Sequence, residues 1–517
     1  MRNEAKNKGY RIYPFTSVSD TITFDLIVIG SGSGLDVANA VSQDGLKVAI
    51  IEKDKMGGTC LNRGCVPSKL LIHSADISEI IKTAHLFGIK VDRFSIDFES
   101  IVNRVNNITD SESGEIKNAF ANSQNPKLFS KKCKFIGEKT ISIGEDHNIS
   151  AEKILIASGT RPRIPKINGL EGSGYITSDE ALRLRKQPKV LTIIGGGYIG
   201  CELAHFFGAL GTKINIVQRA DVLIPSEDED ISHRFTEIFS KKYNVYLGCK
   251  AEFVSKRHRN GGGDVTDSDF DLNATSINQD DDDDGSSLFY VLVKDSSGKS
   301  TELLSDQLLI AAGRIPNSDT LDLEKTGVKL NKRGFIITDR YLETNVNGIF
   351  ALGDAIGRYL FKHNANHEAQ YAYNNIMHPD RKIPVNYAAM PHAIFSSPQV
   401  AGVGFTEQEL KEQEEKHDNN NSINYVKSVY PFINTAMGRA LEDKDGFVKF
   451  LVRKRDRKIL GCHIIGSQAP ILIHEVLVAM KSNEGLDTID SITRAVHIHP
   501  ALSEVVVRAA HDIQRKM

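Results

Sequence analysis

The stretch FDLIVIGSGSGLDVANAVSQDGLKVAIIEKD, residues Phe24 to Asp54, runs from an apolar segment through a glycine turn and a helical segment to a second apolar segment and Glu52. Unbroken apolar runs suit strands buried on both faces of a parallel sheet. Glycines in such a turn let backbone N–H groups approach a pyrophosphate at a helix N-terminus, and an acid about 20 residues later binds a ribose hydroxyl. Gly30, Gly32 and Glu52 supply these features. Leu35 stands where a third glycine is usual, with Gly34 beside it, so helix and strand are expected slightly farther apart.

A second copy follows. KVLTIIGGGYIGCELAHFFGALGTKINIVQR, Lys189 to Arg219, repeats the pattern with Gly195, Gly197 and Gly200 all present. Two nucleotide sites imply two cofactors, or a cofactor and a cosubstrate. Where the first copy has Glu52, the second has Gln218 and then Arg219. A 2′-hydroxyl there loses its acid, whereas an arginine suits a 2′-phosphate, which favours NADPH over NADH; the alternative is a solvated arginine at a strand end.

ILIASGTRPRIP (154–165) and LLIAAGRIPN (308–317) each carry a strand into a small-residue turn, with Gly159 and Gly313 at the bends. They are expected to be crossings between domains, close to bound nucleotide. NGIFALGDAIG (347–357) ends a strand at Gly353 and Asp354, an acid suited to a cofactor hydroxyl or to a helix cap. From about Tyr387 onward, strand-like runs alternate with helical ones, as in a separate α+β domain.

Composition narrows the field. The formal charge of −2 over 517 residues gives no general basic surface for nucleic acid, and no apolar run is long enough for a membrane helix. Neither partner is expected. Six cysteines are too few for a secreted disulfide scaffold, so a reducing, cytoplasmic setting is expected. Residues 1–22 read as a flexible extension. Residues 259–287 are acidic and poor in apolar side chains, and read as a disordered hairpin insertion. Asp267, Asp269 and Asp271 have calcium-loop spacing there, but Leu272 and Asn278 occupy the glycine and glutamate places, so no metal site is expected.

The remaining chemistry lies in GGTCLNRGCVPSK, Gly57 to Lys69, with Cys60 and Cys65. On an ideal helix, residues five apart are about 8–9 Å from each other, beyond disulfide reach. Bridging needs a distorted turn, which Gly57, Gly58 and Gly64 permit, and Pro67 suits the start of the helix that follows. Such a pair at a helix N-terminus is easily reduced, with a thiolate stabilised by the helix dipole and a nearby cation such as Lys69. The alternative is two buried, unpaired thiols.

GGTCLNRGCVPSK, both fingerprints, ALGDA and the later HIHPALSEVV together resemble the flavoprotein pyridine nucleotide-disulfide oxidoreductases, closest to dihydrolipoyl dehydrogenase and mycothione reductase-like members. The likeness covers nearly the whole chain from Phe24, apart from the acidic insertion. It implies an α/β fold with two Rossmann-like dinucleotide-binding domains, for FAD and for NAD(P), plus a C-terminal α+β dimerisation domain. The expected divisions are 23–170 and 311–386 for FAD, 171–310 for NAD(P) and 387–517 for the interface.

Carried over by position, the resemblance implies FAD on Gly30, Gly32, Gly34, Glu52, Gly58, Thr59, Gly159, Gly353 and Asp354. It implies NAD(P) on Gly195, Gly197, Tyr198, Gly200, Arg219 and Gly313. Cys65 would face the flavin and Cys60 exchange with substrate, with Lys69 paired to Glu202 and Tyr198 acting as a gate. His499, oriented by Glu504, would serve the substrate thiol across a homodimer interface. Read alone, HIHP is also compatible with a surface strand end or a metal pair, with His497 and His499 facing one side of a strand.

The substrate signals conflict. PSK and HPALSE look most like dihydrolipoyl dehydrogenase, which implies a lipoyl dithiol with NAD, while GSGSGLDVA, FKHNANHEAQ and Gln218–Arg219 are closer to mycothione reductase-like members, which implies a low-molecular-weight disulfide with NADPH. The lipoamide reading is preferred. No cysteine follows Cys462, which disfavours the members with an extra C-terminal redox centre, and no arginine lies in LDVANAVSQDG to hold glutathione carboxylates. A non-catalytic redox-sensing or assembly subunit is the alternative from another class; the full residue set argues against it.

Overall fold

The apolar run of the first fingerprint forms the central strand of the first sheet, with Leu26, Ile27 and Val28 fully buried. A computed structural model of the chain describes residues 21–144, 147–258, 287–416, 424–482 and 485–517. The first sheet contains β1 (Ile22–Ile29), β2 (Val48–Ile51), β3 (Lys127–Phe129), β4 (Cys133–Gly137), β5 (Thr140–Ile143) and β6 (His147–Ile156) in the order β3-β2-β1-β6-β5-β4. β1, β2, β3 and β6 run parallel, and the antiparallel β4–β5 hairpin closes one edge. Antiparallel β7 (Thr160–Pro162) then carries the chain out towards a second sheet.

That sheet is also parallel. It contains β8 (Ile176–Thr177), β9 (Val190–Ile194), β10 (Lys213–Val217) and β11 (Asn244–Tyr246), joined by a later strand in the order β11-β10-β9-β15-β8. An antiparallel ribbon of β12 (Lys250–His258), β13 (Ser287–Lys294) and β14 (Ser300–Ser305) precedes β15 (Gln307–Ile310). β12 and β13 pair up to His258 and Ser287, so the acidic insertion leaves from the end of a formed hairpin. Residues 259–286, the calcium-like spacing and residues 1–20 lie outside the described residues.

β16 (Arg314–Pro316) pairs antiparallel with β7, which brings both small-residue crossings into one two-stranded link. The chain then returns to the first sheet, where β17 (Ile349–Ala351) adds in parallel to β6. A third sheet, antiparallel throughout, contains β18 (His392–Ile394), β19 (Val400–Gly404), β20 (Tyr425–Pro431), β21 (Phe447–Arg453) and β22 (Ile459–Ile465) in the order β18-β19-β22-β21-β20. Among the described residues, no helix is long and apolar enough to cross a membrane.

The two glycine turns are built alike. A Cβ on Gly30 would lie 2.4 Å from the Ala157 carbonyl, and one on Gly195 would lie 2.3 Å from the Ala311 carbonyl. Both glycines have positive φ, 104° and 119°, so backbone shape and close approach each demand glycine. In the second copy Gly200 is the tight contact between helix and strand, 2.0 Å from the Gly195 carbonyl. In the first copy Gly34 takes that place, because a Cβ would meet Val28 and Ala157 at 2.8 and 2.9 Å. The wider spacing expected from Leu35 is therefore corrected: the close contact is kept, one residue earlier.

Candidate functional site

Helix α1 (Gly34–Gln43) follows the first glycine turn, and β2 delivers Glu52 back beside it. Glu52 accepts from both the Ser31 N–H and the Ser31 hydroxyl, at 2.9 and 2.8 Å, so the acid also shapes the turn. Helices α2 (Gly58–Arg63) and α3 (Cys65–Thr83) meet at Gly64, where a Cβ would lie 2.9 Å from the Thr59 carbonyl. This break interrupts the helix between Cys60 and Cys65, and both are free thiols. Gly58, at φ 66°, packs directly on Gly32, tying the cysteine segment to the glycine turn.

Cys60 and Cys65 are both free thiols, and each shifts the ionisation of the other. Cys60 is held down to about 6, first by the hydrogen bond from Cys65, against its own burial, and then by the Lys362 charge and the N–H groups of Cys65 and Val66. Cys65 is pushed well up, because its hydrogen bonds to Cys60 and burial disfavours its anion. These N–H groups open helix α3, so the helix N-terminus stabilises a thiolate at Cys60. Lys69 favours ionisation of Cys65 and Glu202 opposes it; the cation acting on Cys60 is Lys362.

One cavity of about 1120 Å³ joins these parts. Its wall includes Gly30, Gly32, Glu52, Thr59, both cysteines, Lys69, Gly159, Tyr198, Glu202, Gly353 and Asp354. Lys69 Nζ pairs with both oxygens of Glu202, at 2.9 and 2.8 Å. Asp354, from the turn after β17, accepts from Thr160 at 2.7 Å; burial pushes its carboxyl up against the pull of Thr160 and Arg314. Gly34 lies behind the wall as a packing glycine.

The cavity fits a dinucleotide. A Cβ at Gly32 or Gly159 would meet no protein atom within 4 Å, which leaves a backbone cradle open to a ligand. The buried Ser158 hydroxyl beside it has no protein partner. Gly30, Gly32, Gly159 and Ser158 would hold a pyrophosphate, Glu52 a ribose, and Asp354 a further hydroxyl.

The second glycine turn lies apart. Gly195, Gly197, Gly200, Arg219 and Gly313 are outside this cavity, which the helix Tyr198–Ala209 reaches through Tyr198, Ile199, Glu202 and Leu203. Gly197 and Gly313 likewise have open space where a Cβ would sit. Gln218 turns its side-chain oxygen to the N–H groups of Gly196 and Arg219. Arg219 is exposed, and its guanidinium pairs with none of the described residues.

His499 Nδ1 lies 3.0 Å from Glu504 Oε1, and neither residue lines the cavity. His497 instead contacts Glu475 at 2.6 Å. The two histidines belong to an irregular segment rather than to a strand, which corrects the expectation of a shared strand face. Val496 and Ile498 beside them are exposed, at 100% and 78%.

Sequence reasoning missed Lys362, Thr160 and Arg314. Lys362 contacts Ser33 at 2.8 Å, and Arg314 anchors Thr160 through its Nε at the same distance. Arg314 directly follows Gly313, and Lys362 lies in FKHNANHEAQ, so both had a local signal.

Residues 24–369 match the family model of pyridine nucleotide-disulphide oxidoreductases, and residues 390–510 match the model of their dimerisation domain. The chain belongs to this family. Such enzymes use FAD and NAD(P)H, which agrees with the two glycine cradles. Mycothione reductase of Mycobacterium tuberculosis is 31% identical, over 94% of this chain and 98% of that protein. Dihydrolipoyl dehydrogenase of Bacillus subtilis is 30% identical, over 95% and 96%. The HOCl-induced flavoprotein disulfide reductase RclA of Escherichia coli, solved as a Cu(II) complex, superposes with a TM-score of 0.78 at 24% identity, over 95% of this chain and 99% of that one. That last likeness speaks to the fold.

Proposed function

We propose that this oxidoreductase passes electron pairs between NAD(P)H and a small dithiol or disulfide through Cys60 and Cys65, as a dihydrolipoyl dehydrogenase. The observation that carries this reading is the cysteine pair, with its depressed Cys60 thiol, in the same cavity as an open dinucleotide cradle. When bound, FAD supplies the two-electron carrier between the nicotinamide and the sulfur chemistry.

In the dithiol-oxidising direction, a substrate thiolate attacks Cys60 Sγ of the oxidised pair, and Cys65 leaves as a thiolate. The second substrate thiol then attacks the substrate sulfur of this mixed disulfide, which closes the substrate disulfide and releases Cys60. The pair has gained two electrons. A low thiol pKa makes Cys60 a good leaving group in this second step and supplies a thiolate for the reverse direction. Glu504 holds the Nδ1 side of His499, so Nε2 is the nitrogen offered to a substrate thiol. Since His499 lies outside the cavity of its own chain, we place it over Cys60 of a second subunit in a homodimer, beside the exposed Val496 and Ile498.

A second reading is an NADPH-dependent reductase of a low-molecular-weight disulfide, favoured by Arg219, which pairs with none of the described residues and stands where a 2′-phosphate would lie. Anaerobic reduction with NADH or NADPH, followed by lipoamide or a small disulfide, separates the two. Reoxidation by lipoamide supports the dehydrogenase; reoxidation only by another disulfide supports the second reading.

A further inference from the structure

Behind Tyr198 lies a buried polar chain that the sulfur chemistry does not use. The Tyr198 phenol donates to Glu227 Oε1, while Glu227 Oε2 lies 2.8 Å from His392 Nε2. With Tyr198 in place the Glu227 side chain is fully buried, so its carboxylate relies on protein donors. The His392 imidazole also lies within 17° of parallel to the Tyr198 ring, with Phe361 beside both. Gly402 makes room for it, since a Cβ there would come within 2.6 Å of that imidazole.

Glu227 is pinned through its neighbour. Asp228 accepts from the wholly buried Lys449 at 2.8 Å and from the Glu407 N–H at 2.9 Å, tying this loop to β21 and to the helix Glu407–Lys416. If Tyr198 moves, Glu227 cannot follow it.

We infer that Glu227 and His392 form a latch that holds Tyr198 in place, with the charge on His392 setting how readily the ring swings aside for the nicotinamide. This rests on Tyr198 being the gate proposed from the family resemblance. Neither latch residue lines the cavity, so both are positioning residues. With His392 neutral, Glu227 depends on two neutral donors, and opening removes one of them. With His392 charged, the ion pair alone satisfies much of the carboxylate, so opening costs less.

The groups facing His392 are Glu227, Glu409 from the helix Glu407–Lys416, His363 from the helix Lys362–Met377, His463 across Gly402, and Tyr198. Burial disfavours its charge, but Glu227 and Glu409 outweigh this and raise its pKa above the ordinary histidine value. Burial keeps His363 and His463 low, and so neutral near pH 7. The latch therefore loosens below the His392 pKa and tightens as pH rises through it.

The test is stopped-flow reduction of the FAD-loaded enzyme by NADPH and NADH across the neutral pH range, with reoxidation by disulfide measured separately. In the native enzyme, flavin reduction slows about tenfold as pH rises through the His392 pKa. His392→Gln, which keeps a donor but does not titrate, flattens this step and leaves reoxidation unchanged. Should that variant fail to hold FAD, Glu227→Gln serves instead, since it removes the anion that keeps His392 charged. A His392→Gln profile matching the native one, with Tyr198→Ala still accelerating reduction, overturns the latch and spares the gate. If Tyr198→Ala alters neither nicotinamide binding nor flavin reduction, the gate reading fails and takes the latch with it.

Discussion

Lys69 Nζ lies within 2.9 Å of both carboxylate oxygens of Glu202, joining helix α3 to the helix Tyr198–Ala209. The same carboxylate accepts the Phe395 N–H at 2.9 Å, so three parts of the chain meet on one acid. Glu202 is buried, and removing Lys69 leaves it with a single donor. Lys69→Met is expected to lower stability by about 1–3 kcal/mol, and Glu202→Gln by less, because the amide still accepts. Thermal unfolding with FAD bound checks the order.

Cys60 should react as a thiolate far below the ordinary thiol range. Its pKa is depressed, so the anion is present above about 6 and lost as pH falls through that value. Alkylation of the reduced protein by iodoacetamide should therefore rise around pH 6 rather than near the usual 8.5 or so. Cys65→Ala removes the principal donor to Cys60 and should move this rise upward; Lys362→Met should do so to a smaller degree.

Gly32, in the cavity wall, and Gly34, behind it, should respond differently to a methyl group. At Gly32 a methyl enters the cradle and touches no protein atom, so Gly32→Ala should change apo stability by no more than about 0.5 kcal/mol while weakening FAD binding. At Gly34 a methyl meets Val28 and Ala157, so Gly34→Ala should cost about 1–3 kcal/mol even without FAD. Urea unfolding of the apoprotein and FAD titration together distinguish them.

Arg219 controls nucleotide choice in the second reading. If it binds a 2′-phosphate, Arg219→Ala should raise the KM for NADPH about ten- to hundredfold and leave NADH nearly unchanged. Steady-state kinetics with each nucleotide read the difference directly.

Both fingerprints and the cysteine pair were legible because each is local: periodicity, glycine spacing and a helix start lie within one short stretch. Gly34 was misread because spacing alone does not show which glycine touches β1. The segment around His499 looked strand-like from its alternation, yet no strand among the described residues pairs with it. Tyr198, Glu227 and His392 are 29 and 165 residues apart in sequence, so only folding unites them. The Asp354–Thr160–Arg314 group was hidden for the same reason, since it forms where β7 pairs with β16.

The most direct test of the central claim is an anaerobic NADPH and NADH titration of the FAD-loaded enzyme, with the cysteines alkylated and mapped at the end point. Bleaching of the flavin absorbance accompanied by newly alkylatable Cys60 and Cys65, and no such gain in thiols in Cys65→Ser, is the predicted result. Flavin reduction that leaves the thiol count of the native enzyme unchanged, or no reduction by either nucleotide, would contradict it.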